Sequence, residues 1–165
     1  MPEKPYDREA AVAYAHRWAY DRNPAFFNFD DIGGNCTNFA SQCIFAGSGV
    51  MNFTPVFGWF YLGVNDRSAS WTGVEYLYNF LLSNSGPGPY AAEVPMSEVM
   101  PGDIAQMRFR EPVRFQHSPV VVEITGPPSP STILVAANSF NVDCRRIETY
   151  FYSAVRFLHI LGVRT

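Results

Sequence analysis

The chain has 165 residues, a net charge of −3, and 47% hydrophobic against only 16% charged residues; a chain of this size buries roughly 70% of its unfolded surface without metals or disulfides. Its basic residues are scattered, with no run longer than Arg145-Arg146, which excludes the clustered basic face that a nucleic-acid partner needs. No apolar run reaches the roughly 18 residues that span a membrane, and MPEKPYDREA holds no signal-peptide core, so the expectation is one soluble domain over residues 1–165, cytoplasmic as written or cut from a longer, exported protein.

In chain order, Asp7 can cap a first helix whose apolar stripe runs through Ala11, Tyr14, Ala15 and Trp18 and which ends before Asn23-Pro24. His16 falls off that stripe and reads as a surface residue. Gly33 and Gly34 free the backbone for a tight approach. Asn35 is then a good N-cap, which puts Cys36 at the first position of a helix that Gly47 should stop.

No charged residue occurs from Ile32 through Asn65. A helix in such a segment should be buried on most sides, its Asn38 and Gln42 satisfied by neighbouring backbone. Thr72 and Glu75 match a capping box opening another helix. Trp59 and Trp71 fit core packing best, with a place in a substrate groove as the second reading.

Met100 to Asp103 reads as a turn feeding a strand from Ile104 to Phe109; two more strands follow at 118–124 and 132–137, and 150–163 supplies further strand material in which His159 is a satisfied core histidine. Helices first and antiparallel strands afterwards give an α+β layout.

Of the three cysteines, Cys36, Cys43 and Cys144, none sits at metal-ligand spacing, so free thiols, no metal and no cofactor are expected. Cys43 lies on the core face of the same helix. Cys36 differs by its place: the positive end of the helix favours a thiolate, and the unpaired backbone N–H groups can receive an oxyanion.

A nucleophilic cysteine needs a base, and the base needs a third group to orient it. A hairpin centred between Pro127 and Pro128 pairs residues whose numbers sum to 255, as those of His117 and Asn138 do; opposed residues have Cβ atoms about 4.5–5.5 Å apart. Cys36, His117 and Asn138 therefore form the candidate triad, with Asn35 in support at the oxyanion site and Asp143 in reserve for the third role.

NCTNFASQC at Asn35 to Cys43, the WTGVEYLYNFL segment from Trp71, the Pro101-Gly102-Asp103 turn, HSPVVVEI from His117 and the opening AVAYAHRWAYDRNPAFFNF together resemble a bacterial amidase domain related to papain-like cell-wall peptidases of the NlpC and CHAP kind. The resemblance implies a papain-like fold, with a central buried helix starting at the nucleophile and packed on an antiparallel sheet from the C-terminal half. It also implies a cysteine amidase or peptidase with Cys36 as nucleophile and His117 as base, acting through a thioester on peptide or amide substrates, with peptidoglycan stem peptides as the class suggested. The rival readings are an acyltransferase or deamidase on the same triad, and a non-catalytic peptide- or glycan-binding module on the same fold.

Overall fold

The computed structural model describes residues 1–109 and 113–165. A two-residue strand β1 (Glu3–Lys4) precedes helices α1 (Arg8–Trp18) and α2 (Cys36–Ser48), the small hairpin β2 (Tyr61–Gly63) and β3 (Asp66–Arg67), and helices α3 (Ala69–Thr72) and α4 (Val74–Ser83). The second half is almost all strand: β4 (Gly88–Val94), β5 (Ile104–Arg108), β6 (Phe115–His117), β7 (Val120–Ile124), β8 (Ile133–Ala137), β9 (Val142–Arg146) and β10 (Ala154–Arg164). The architecture is α+β, with a curled antiparallel sheet ordered β1-β10-β5-β7-β8-β9, β4 on the far side of β10 and β6 beside β5. Among the described residues no helix is long and apolar enough to cross a membrane.

Alternation along the strands sends side chains to two cores, as the period of two in a pleated strand requires. Ile104, Val120, Val122, Ala136, Leu158 and Ile160 meet the helices through Phe39, Cys43, Ile44, Leu77 and Leu81. Ala105, Met107, Val121, Val135 and Phe157 face the other way and pack with Val99 and Ile147. Both faces of the sheet are thus covered.

Helix α2 is the most enclosed of the helices. Ten of its thirteen residues are buried, Asn38 and Gln42 among them. Their polar atoms are satisfied mainly by side chains: Asn38 Oδ1 accepts from Trp71 Nε1 at 3.0 Å, and Gln42 Oε1 from Tyr14 Oη at 2.6 Å. Asn38 Nδ2 donates to the Phe27 carbonyl at 3.0 Å.

The helix runs past Gly47 to a left-handed cap at Gly49, φ 65°. Gly47 is needed for packing: a Cβ there would lie 2.5 Å from the Tyr6 ring and 2.6 Å from the Asp7 carbonyl. Asp7 caps α1 as its sequence suggests, accepting from Ala10 N at 3.0 Å. The capping box does not form. Thr72 belongs to α3, Gly73 occupies the cap position of α4, and Glu75 reaches Arg156 instead.

Trp59 and Trp71 are fully buried, with ring centroids 4.7 Å apart. Trp59 Nε1 donates to Ser41 Oγ and Trp71 Nε1 to Asn38, so both indoles anchor α2 from the side and line no groove. Burying rings of this size contributes far more in the core than at a wet surface.

Asp103, fully buried after the Pro101-Gly102 turn, knots the sheet to the first helix. Its carboxylate accepts from Arg8 Nη1 at 2.7 Å, His159 Nδ1 at 2.8 Å, Ile160 N at 3.0 Å and Met100 N at 2.8 Å. A buried charge is tolerated only when paired and hydrogen-bonded in this way. His159 is accordingly a satisfied histidine.

Candidate active site

Gly33 and Gly34 take φ of 83° and 96°, a left-handed pair that swings the chain into α2. Gly34 N donates to the Phe29 carbonyl, and Asn35 N donates to Ser139 Oγ at 2.7 Å. Ser139 and Phe140, both with positive φ (52° and 61°), form the turn between β8 and β9. Two central residues with φ above zero are the signature of a tight primed hairpin turn, normally reserved for Gly, Asn or Asp. This strained turn is therefore clipped to the cap residue just before the helix.

Asn35 holds the cap position without capping. Its side chain turns inward: Oδ1 accepts from Phe29 N at 3.0 Å and Asn38 Nδ2 at 2.8 Å, while Nδ2 donates to Asn138 Oδ1 at 2.9 Å. It supports the loop and does not aim its amide at an oxyanion. No side chain caps α2, which leaves its leading backbone N–H groups without a side-chain partner.

Cys36 begins that helix, half-buried, with Sγ 3.8 Å from the Gln116 carbonyl and 3.7 Å from Thr37 Oγ1. Burial pushes its thiol up, against the hydrogen bonds of Thr37 and the nearby backbone that pull it down. The thiolate expected from the helix terminus alone is thus disfavoured at rest, because desolvation outweighs the hydrogen bonds that would hold the charged sulfur. Cys43 is fully buried and pushed up further, and Cys144 is exposed.

Cys36 and His117 line one cavity of about 420 Å³, together with Gln116, Arg145 and Tyr150. His117 sits at the end of β6, its ring 5.8 Å from that of Tyr150. Burial, with a smaller push from the Arg145 charge, lowers its pKa to about 4. At neutral pH the pair is a neutral thiol beside a neutral imidazole.

Asn138 is not the orienting group. His117 pairs across to Met107 on β5, while the β7–β8 ladder matches Val120 with Ala136 and Val121 with Val135, a sum of 256 in place of 255. A slip of one residue sends a side chain to the opposite face. Asn138 accordingly faces the helices, where Nδ2 donates to the carbonyls of Trp18 (3.2 Å) and Ala19 (3.0 Å) and Oδ1 accepts from Asn35. Asp143, the reserve, pairs with His16 Nδ1 at 2.8 Å and is likewise turned away from His117. Among the described residues the ring nitrogens of His117 have no hydrogen-bond partner, so no third residue orients the ring.

Residues that sequence reasoning passes over complete the lining. Arg145 and Tyr150 come from β9 and the turn after it, and Gln116 exposes its backbone carbonyl to the thiol. The neighbourhood of Arg145-Arg146 was visible only as the longest basic run. Apart from this cavity, His16, Asp143 and Cys144 bring potential ligand atoms within 4.8 Å of one another on the surface, a grouping hidden in sequence because it joins α1 to β9.

Residues 5–160 match the family model described as "Putative amidase domain". The chain is also 42% identical over 120 residues, 71% of its length, to "Uncharacterized protein YhbB" of Bacillus subtilis (strain 168), of which the match spans 37%. No solved structure matches at a comparable level. With nearly its whole length matched, the chain belongs to this amidase-domain family, whose description points to amide hydrolysis.

Proposed function

We propose that the protein is a papain-like cysteine hydrolase that cleaves an amide or peptide bond through a thioester on Cys36. The observation that carries the reading is the shared cavity, in which a thiol at the uncapped start of a buried helix and an imidazole from the sheet edge line one space. On substrate binding, neutral His117 takes the proton of the Cys36 thiol and the sulfur attacks the carbonyl carbon. The leading N–H groups of α2 hold the oxyanion, protonated His117 hands its proton to the departing amine, and an acyl thioester remains. His117 then removes a proton from water, the hydroxide adds to the thioester, and collapse releases the acid and the thiol.

Peptidoglycan stem peptides are the substrate class to try first, on the strength of the resemblance noted above. The test is chromatography of a peptidoglycan digest and of a peptide-amide library, with mass spectrometry of the intact protein. The expected result is new amine and acid ends with an acyl mass on Cys36 during turnover, and losses of a thousandfold or more in Cys36→Ala and His117→Gln. Turnover that survives Cys36→Ala would sink the reading. Aminolysed product in place of free acid would convert it to acyl transfer.

A further inference from the structure

Among its described lining residues the cavity that holds Cys36 and His117 contains no carboxylate, and with His117 neutral the one charge among them at pH 7 is Arg145. That guanidinium is held in place. Nε donates to Thr149 Oγ1 at 2.7 Å and Nη2 to the Thr149 carbonyl at 2.9 Å, while the plane lies 3.7 Å from the Tyr150 ring centroid. Thr149 thus occupies the side edge of the fork, and no carboxylate pairs with Arg145 among the described residues. The Nη1 and Nη2 end remains, the edge whose two parallel N–H groups match a carboxylate.

A second observation points the same way. The Tyr150 hydroxyl is shielded from solvent and has no hydrogen-bond partner among the described residues, and neither does Oε1 of Gln116, another residue of the lining. Buried polar atoms without partners are costly, so two of them in residues that line a cavity beside a fixed cation point to a polar occupant. A carboxylate can accept from both the guanidinium and the phenol.

We propose that Arg145 and Tyr150 form a subsite for a free carboxylate carried by the substrate next to the amide that Cys36 attacks. The subsite rests on Cys36 being the reacting thiol. It makes the enzyme selective for acidic substrates: neutral amides of the same length enter the cavity without the contact and react more slowly.

The experiment compares alkylation of Cys36 by iodoacetate and by iodoacetamide, two reagents that differ in a carboxylate against an amide and both of which lose iodide to the sulfur. Rates are read at Cys36 by peptide mass mapping, which separates it from Cys144, and are divided by the rates for 2-mercaptoethanol. The expected ratio favours iodoacetate by about tenfold, falls to that of the free thiol in Arg145→Gln, and falls part of the way in Tyr150→Phe, which leaves the ring in place. A wild-type ratio equal to that of the free thiol, or one unchanged in Arg145→Gln, overturns the subsite while leaving the nucleophile standing. Failure of both reagents at Cys36 overturns the nucleophile instead. The subsite is then decided by titration with succinate, read in NMR shifts of Tyr150 and His117: saturable in the wild type and absent in Arg145→Gln if the proposal holds, absent in both if it does not.

Discussion

His117 carries the clearest pH signature. An ordinary imidazole takes up its proton near pH 6.5, the buried ring only near pH 4. Between these values the unfolded chain binds a proton that the native chain refuses, so stability is fully present above about pH 6.5 and declines as pH falls toward 4, by on the order of 3 kcal/mol. Urea unfolding across this range should show a shallower decline in His117→Gln than in the wild type. Cys36 shifts the other way: its alkylation by iodoacetamide should go on accelerating beyond the pH at which an ordinary thiol has levelled off, because burial raises its pKa. Asn138→Ala should cost about 1–3 kcal/mol in thermal or urea denaturation, since it strands the Trp18 and Ala19 carbonyls. The pH profile of whatever turnover is measured should keep its shape in that variant. The sequence distinguishes Cys36 from Cys43 through two glycines and a helix start. The role of Asn138 was not legible, because a register counted from a loop midpoint cannot reveal a shift of one residue, and the shift decides the face.

The same limit recurs in the elements. The strand expected at 118–124 begins only at Val120, and β6, which the sequence did not suggest, precedes it across Ser118-Pro119: Pro119 has no N–H for the ladder, and its carbonyl accepts from Ala105 N at 2.9 Å. The interruption leaves His117 on β5's edge and out of the β7–β8 hairpin. Strands β4 and β9, at the two margins of the sheet, escape sequence reading because edge strands need only part of the alternating pattern. β9 in addition carries Cys144 at φ 53°, where its pairing with β8 shifts register. Two packing features can be tested directly. Gly47→Ala should destabilise α2 by about 1–3 kcal/mol in urea, as its Cβ has no room beside Tyr6 and Asp7. Asp103→Ala should cost about 3–5 kcal/mol, since it leaves Arg8 and His159 facing a buried void.

Across the molecule, the α+β layering was readable from the order of apolar periodicities, whereas the cavity was not. Its walls come from Gly33 to Cys36, from Phe109, Gln116 and His117, and from Ser139, Phe140, Arg145 and Tyr150, stretches that only the curled sheet brings together. One further feature of the sheet bears on how such a unit is used. β1 pairs with the end of β10, Glu3 opposite Arg164, and Thr165 N donates to the Pro2 carbonyl at 2.9 Å. Entry and exit of the chain are therefore neighbours, and the fold can be spliced into a host polypeptide at a single surface point without prising its own layers apart. A circular permutant that joins residue 165 to residue 1 by a short glycine linker and opens the 126–131 loop should refold and keep the Cys36 alkylation profile of the parent.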